Sequence, residues 1–79
     1  MARRQEELVK EAKISMQQAI QIATGQYPGT VLISRLAREL NQACYVLSIL
    51  SDNGAETTTT LVLMSAIDGS ILKVEKEER

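Results

Sequence analysis

The sequence predicts an α+β fold: one main N-terminal helix packed on a small antiparallel sheet of three to four strands. Three observations carry that expectation. Residues 15–25 hold the strongest helix signal, residues 42 onward read as apolar strand runs broken by turn residues, and the single proline, Pro28, stands between the two regimes.

Residues 1–13 read as a charged helical lead-in or linker. The run RRQEELVKEAK, residues 3 to 13, is rich in helix formers and places Glu6 and Lys10 at the favourable i, i+4 spacing. Only Leu8, Val9 and Ala12 are apolar, so its four basic and three acidic side chains suit a solvated, fraying face rather than a binding patch. The main helix starts at Ser15, whose hydroxyl caps it while Gln18 reaches back to the Ser15 N–H, the reciprocal arrangement of a capping box. Ile14, just ahead of the cap, packs on Ala19 as a weak hydrophobic staple. Met16, Ala19, Ile20 and Ala23 recur at helical spacing on one face, which must be buried, and Ile20 and Ala23 are expected to meet Tyr45, Leu47 and Ile49. Gly25 is expected to end the helix with a left-handed residue, Pro28 bars Tyr27 from helical continuation, and Gly29 completes a turn.

Residues 30–40, TVLISRLAREL, read two ways. Ile33, Leu36, Ala37 and Leu40 fit a helical period, whereas Val31 and Ile33 alternate as in a strand. The β-branched start directly after Pro28-Gly29 favours a strand with a phase shift near Ser34 to Leu36. Asn41-Gln42 reads as a connection, and QACYVLSILSD as a strand with Tyr45, Leu47 and Ile49 on one face and Cys44, Val46, Ser48 and Leu50 on the other. Asp52-Asn53-Gly54 predicts a hairpin turn. The run TTTTLVLMSA forms the next strand, Ile67-Asp68-Gly69-Ser70 turns the chain again, and Ile71 to Val74 form a last short strand before a fraying charged tail, EKEER, of which residues 76–79 lie outside the domain at 14–75.

Composition narrows the function. The 79 residues include two tyrosines, no phenylalanine, no tryptophan and no histidine, so the core is aliphatic and the commonest catalytic base is missing. A formal net charge of −1 supplies no positive field for nucleic acid. Cys44 has no second cysteine to pair with and reads as a small buried hydrophobe. There is no metal-ligand cluster, no acid pair at motif spacing and no glycine-rich phosphate loop, which points to a protein that is not an enzyme and needs no cofactor. No signal peptide opens the chain and no apolar run is long enough to cross a bilayer. Met1-Ala2 before two arginines reads either as a native start or as one placed after removal of a signal or anchor.

A capped helix of the form S-x-x-x-A-I-x-I-A, a P-G turn, a strand containing Tyr-Val, D-x-G, and a final x-A-x-x-G followed by Ile-Leu together resemble the PepSY domain. The matching residues are Ser15, Ala19, Ile20, Ile22, Ala23, Pro28, Gly29, Tyr45, Val46, Asp52, Gly54, Ala66, Gly69, Ile71 and Leu72. The last turn departs from the family's usual D-A-x-T-G, with Ser65 in place of the aspartate and Asp68 where threonine is common; Ser65, Asp68 and Gly69 retain the chemistry to build it. The resemblance implies a helix on an antiparallel sheet, as found in propeptides of thermolysin-like metallopeptidases, in germination proteins and in many secreted, periplasmic or anchored bacterial proteins. It further implies an extracytoplasmic, non-catalytic protein-interaction module that regulates or inhibits a peptidase, contacting its partner through the sheet edge or the surface beside the P-G turn. The rival is a structural or self-associating envelope domain, a homodimer paired through sheet edges. Val46, Leu50, Val62 and Met64 are the candidate contact surface, on a face expected to lie away from the helix.

Overall fold

The computed structural model describes residues 2–52 and 54–78. Two helices, α1 (Ala2–Glu11) and α2 (Met16–Gln26), precede four strands, β1 (Thr30–Glu39), β2 (Gln42–Asp52), β3 (Thr57–Ser65) and β4 (Ile71–Glu78). The strands form one antiparallel meander in the order β1-β2-β3-β4, so β1 and β4 are its edges. The α+β class and the antiparallel sheet stand as expected, with four strands and with two short helices rather than one.

The capping box forms as the sequence requires. The Gln18 N–H donates to Ser15 Oγ at 3.1 Å and the Ser15 N–H donates to Gln18 Oε1 at 2.8 Å. Gly25 does not end α2, which continues through Gln26. The Tyr27 N–H still donates to the Ala23 carbonyl at 2.8 Å, and it is Pro28, with no N–H to offer, that stops the helix. Ala19 and Ala23 are fully buried, while Ile20, expected in the core, is only half-buried at its margin. The two alanines explain this, because their small side chains let the helix axis sit close to the sheet and leave the longer side chains to splay to either side.

Pro28-Gly29 turns the chain hard against β2. Ser51 Oγ donates to the Pro28 carbonyl at 2.7 Å. A Cβ on Gly29 would fall on the Leu50 carbonyl oxygen and come within 2.9 Å of both Ile49 Cγ2 and Ser51 Oγ, so only glycine allows this approach.

Residues 30–39 are strand throughout. Val31 and Leu36 both pack against the core although five residues apart, an odd separation that demands one phase shift between them. The shift lies between Val31 and Ile33, with Leu32 as the extra residue, and not at Ser34 to Leu36. A two-residue turn joins β1 to β2, with Leu40 and Asn41 both at positive φ (51° and 62°), as in a type I′ hairpin. Gln42, expected in the connection, already pairs with Glu39.

At the far end Asp52 Oδ1 accepts from the Gly54 N–H at 2.9 Å, with Gly54 at φ +91°; Asn53 of the expected turn lies outside the described residues. The tail expected to fray is instead paired as far as Glu78, through Lys76 with Thr60, Glu77 with Thr59 and Glu78 with Thr58. The threonine run offers a branched, extended partner, and an edge strand keeps its charges in water. Lys76 Nζ also sits 5.8 Å from the Tyr27 ring centroid, tying β4 to the end of α2.

The lead-in is a docked helix, with Leu8 5% exposed among the core residues and Val9 outside at 62%. The Arg38 guanidinium on β1 grips the Glu11 carboxylate with both terminal nitrogens. The β3–β4 turn anchors the link between the helices. The Ala66 carbonyl accepts from the Lys13 N–H at 2.7 Å and the Ile14 N–H at 3.1 Å, and Tyr45 Oη donates to the Ile14 carbonyl at 2.7 Å. Ser65 braces this turn, its Oγ accepting from the Ile67 N–H at 3.1 Å. Asp68 Oδ1 accepts from the Ser70 N–H at 2.9 Å, a bond that holds its carboxyl below the usual aspartate range. Gly69 completes the turn at φ +78°.

Candidate functional site

The sheet has two unlike faces, and strand register decides which residue belongs to which. Tyr45, Leu47 and Ile49 of β2 point toward the helices, and their direct partners across β3 are Met64, Val62 and Thr60. Directly opposed residues share a face, so Val62 and Met64 are on the covered side, 1% and 0% exposed. The expected surface is therefore corrected: Val46 and Leu50 lie half-buried on the open face, but Val62 and Met64 lie beneath the helices. Their places are taken by Leu61 and Leu63, opposite Ser48 and Val46.

The open face is built of cross-strand rows. One runs Arg35, Val46, Leu63, Lys73 from β1 to β4, and the next runs Ile33, Ser48, Leu61, Glu75. Each row puts its small or apolar members at the centre and a charge at one or both ends. Together they line a shallow concavity whose floor is Val46, Leu61 and Leu63 and whose rim is Arg35, Glu39, Lys73 and Glu75. Ile33 is 58% exposed and Leu61 38%, so apolar area is presented to solvent rather than merely reachable by it. On the rim, Lys73 Nζ stands 3.5 Å from Glu75 Oε1, both side chains more than half exposed. An apolar centre with a charged rim is the composition of a protein-contact surface.

Other chemistry is sparse. Cys44 lies on the same strand face as Val46 but is fully buried, its Sγ donating to the Glu39 carbonyl at 3.5 Å, and burial pushes its thiol pKa up. Burial likewise raises the Tyr45 phenol, whose proton is committed to the Ile14 carbonyl. Among the described residues no three His, Cys, Asp or Glu side chains are grouped to hold a metal ion. No described helix is long and apolar enough to cross a membrane. A second groove, where α1 meets β1, is lined by Glu7, Leu8, Arg38 and the exposed Leu40 turn.

Leu61 and Leu63 escaped sequence reasoning because Leu61, Val62, Leu63 and Met64 are all apolar, so alternation marks neither face. The signal that separates them is parity. With Asp52 paired to Thr57, every β2–β3 pair sums to an odd number, and the β2 residues beneath the helix must meet even-numbered residues of β3.

A family profile described as "Peptidase propeptide and YPEB domain", PepSY, matches residues 13–75, which takes in α2 and all of the sheet but its last residues and leaves out α1. Comparison with curated proteins and with solved structures returns no match.

Proposed function

The chain belongs to the PepSY family, and from that premise we propose that it is a non-catalytic interaction module that binds, and thereby regulates or inhibits, an extracytoplasmic peptidase through the open face of its sheet. The observation that carries this reading is the apolar floor of Val46, Leu61 and Leu63 inside a rim of four charges, on the side of the sheet that neither helix covers. The family description, which names peptidase propeptides, supports a peptidase as the class of partner. The faces of a sheet with helices on one side only leave such a surface unpartnered within the chain.

The edges suit a partner less well. β4 presents Lys73, Glu75, Lys76 and Glu77 along its length, and β1 is broken by the shift at Leu32; charge and irregularity are how edge strands avoid pairing. The partner's binding is measured with a thermolysin-type metallopeptidase from the same organism, by titration calorimetry and by inhibition of peptide hydrolysis. Leu61→Lys with Leu63→Lys should abolish both while leaving the far-UV circular dichroism spectrum unchanged. Equal binding by parent and variant would overturn the assignment of the open face.

A further inference from the structure

We propose that the open face also pairs with a second copy of this chain, the two sheets packing face to face about a twofold axis that runs across the strands between the Val46 row and the Ser48 row. This rests on the reading of that face as a contact surface and adds an occupant to it. The register singles out the axis. Lys73 lies in line with Leu63, and Glu75 in line with Leu61. A twofold between the two rows therefore sets Lys73 opposite Glu75 of the partner subunit, and Glu75 opposite Lys73 of the partner subunit, at the same moment as it sets Leu61 and Leu63 over each other reciprocally. On the β1 side the same rotation lays the aliphatic stem of Arg35 over Ile33 of the partner subunit, covering a side chain that is 58% exposed in the single chain. The alternative face-to-face axis, along the strands, would set Arg35 opposite Lys73 of the partner subunit in the same row, like charge against like.

Size sets the strength. Four strands at about 4.8 Å by seven residues at about 3.3 Å give a footprint of roughly 19 by 23 Å per copy. That is about half of the area each partner buries in a standard specific interface, the size of weak, transient associations. A peptidase that takes the same floor displaces the second copy, which makes the two occupants mutually exclusive.

Sedimentation velocity on the full chain, up to about 500 μM, reads the dimer directly. Lys73→Glu alone and Glu75→Lys alone each put like charges across the axis and should weaken association about tenfold or more. Both positions are solvent-exposed, so neither change should alter the circular dichroism spectrum. An equimolar mixture of the two single variants restores opposite charges across the interface but within neither chain, and should dimerise about as well as the parent. That rescue separates pairing between copies from the Lys73–Glu75 contact within one copy. A parent chain that stays monomeric throughout the range, or single variants that weaken association with no recovery on mixing, would overturn the proposed axis. Either result leaves the peptidase reading to stand or fall on the Leu61 and Leu63 variants, which need no dimer.

Discussion

Replacing Leu47 with alanine tests the assignment of the two sheet faces at its centre. Leu47 is fully buried, paired with Ser34 on one side and Val62 on the other, beneath the helix layer. Truncation removes three carbons, worth about 0.8 kcal/mol each by transfer, and leaves a cavity that a sheet held on both sides cannot close, for a total of about 3–5 kcal/mol. A domain of this size holds only about 4–12 kcal/mol of stability, so the variant should be close to the edge of folding. The change corresponds to a Tm lower by roughly 15 °C or more. Its neighbour Val46 points the other way and is half-buried, so Val46→Ala should cost about 1 kcal/mol or less. With no tryptophan as a probe, urea and thermal unfolding are followed by far-UV circular dichroism. Equal losses from the two adjacent substitutions, or a larger loss from Val46→Ala, would refute the assignment of covered and open faces.

Gly29→Ala forces a methyl onto the Leu50 carbonyl and should destabilise by about 2 kcal/mol or more, seen as a lower urea midpoint; an unchanged midpoint would mean that the turn relaxes freely. Leu40 occupies a left-handed conformation at φ 51° while 66% exposed, so Leu40→Gly should raise stability by about 0.5–1 kcal/mol in the same assay. The Arg38 guanidinium, by hydrogen bonding and by its charge, holds the Glu11 carboxyl below its ordinary value, so the pair favours the docked α1 at neutral pH and that contribution is lost as the pH falls from the ordinary glutamate range through Glu11's lower one. Protection factors of the amides at residues 6–11, taken against intrinsic exchange at each pH, should fall over that range in the parent and show no such step in Glu11→Gln. Cys44, buried and with a raised pKa, should react with a thiol reagent far more slowly in the native chain than in urea.

Local chemistry was legible in the sequence wherever one residue type has one structural use. Ser15 with Gln18 announced the helix start, Pro28 the boundary between helix and sheet, and Gly54 and Gly69 their turns. Ser65 with Asp68 proved sufficient to rebuild the last turn without the family's aspartate. What escaped depended on relations between distant residues. The phase shift in β1 follows from Val31 and Leu36 sharing a face, which fixes that a shift exists but not at which residue. The docking of α1 depends on Arg38, 27 positions beyond Glu11, and on a core opening that accepts Leu8. The open face was half legible for the same reason, since Val46 and Leu50 follow from the strand's own alternation whereas the choice between Leu61 with Leu63 and Val62 with Met64 needs the β2–β3 register.

The same register explains why this domain has a face to offer at all. Helix α2 meets the sheet through Ala19 and Ala23, residues too small to add much apolar area of their own, and the sheet supplies the bulk through Leu47, Ile49, Val62 and Met64. That side is filled by these residues, with α1 closing the end near Leu8. Apolar side chains in excess of what the core takes up, Ile33, Leu61 and Leu63 with Val46, are thereby gathered on the opposite side in two adjacent rows. The charges cannot join them there without loss of solvation, so Arg35, Lys73 and Glu75 occupy the row ends, where edge strands meet water. The result is an open face with an apolar centre and a charged rim. Which strand residues share a row on that face is therefore fixed by the β2–β3 register as much as by the side chains themselves.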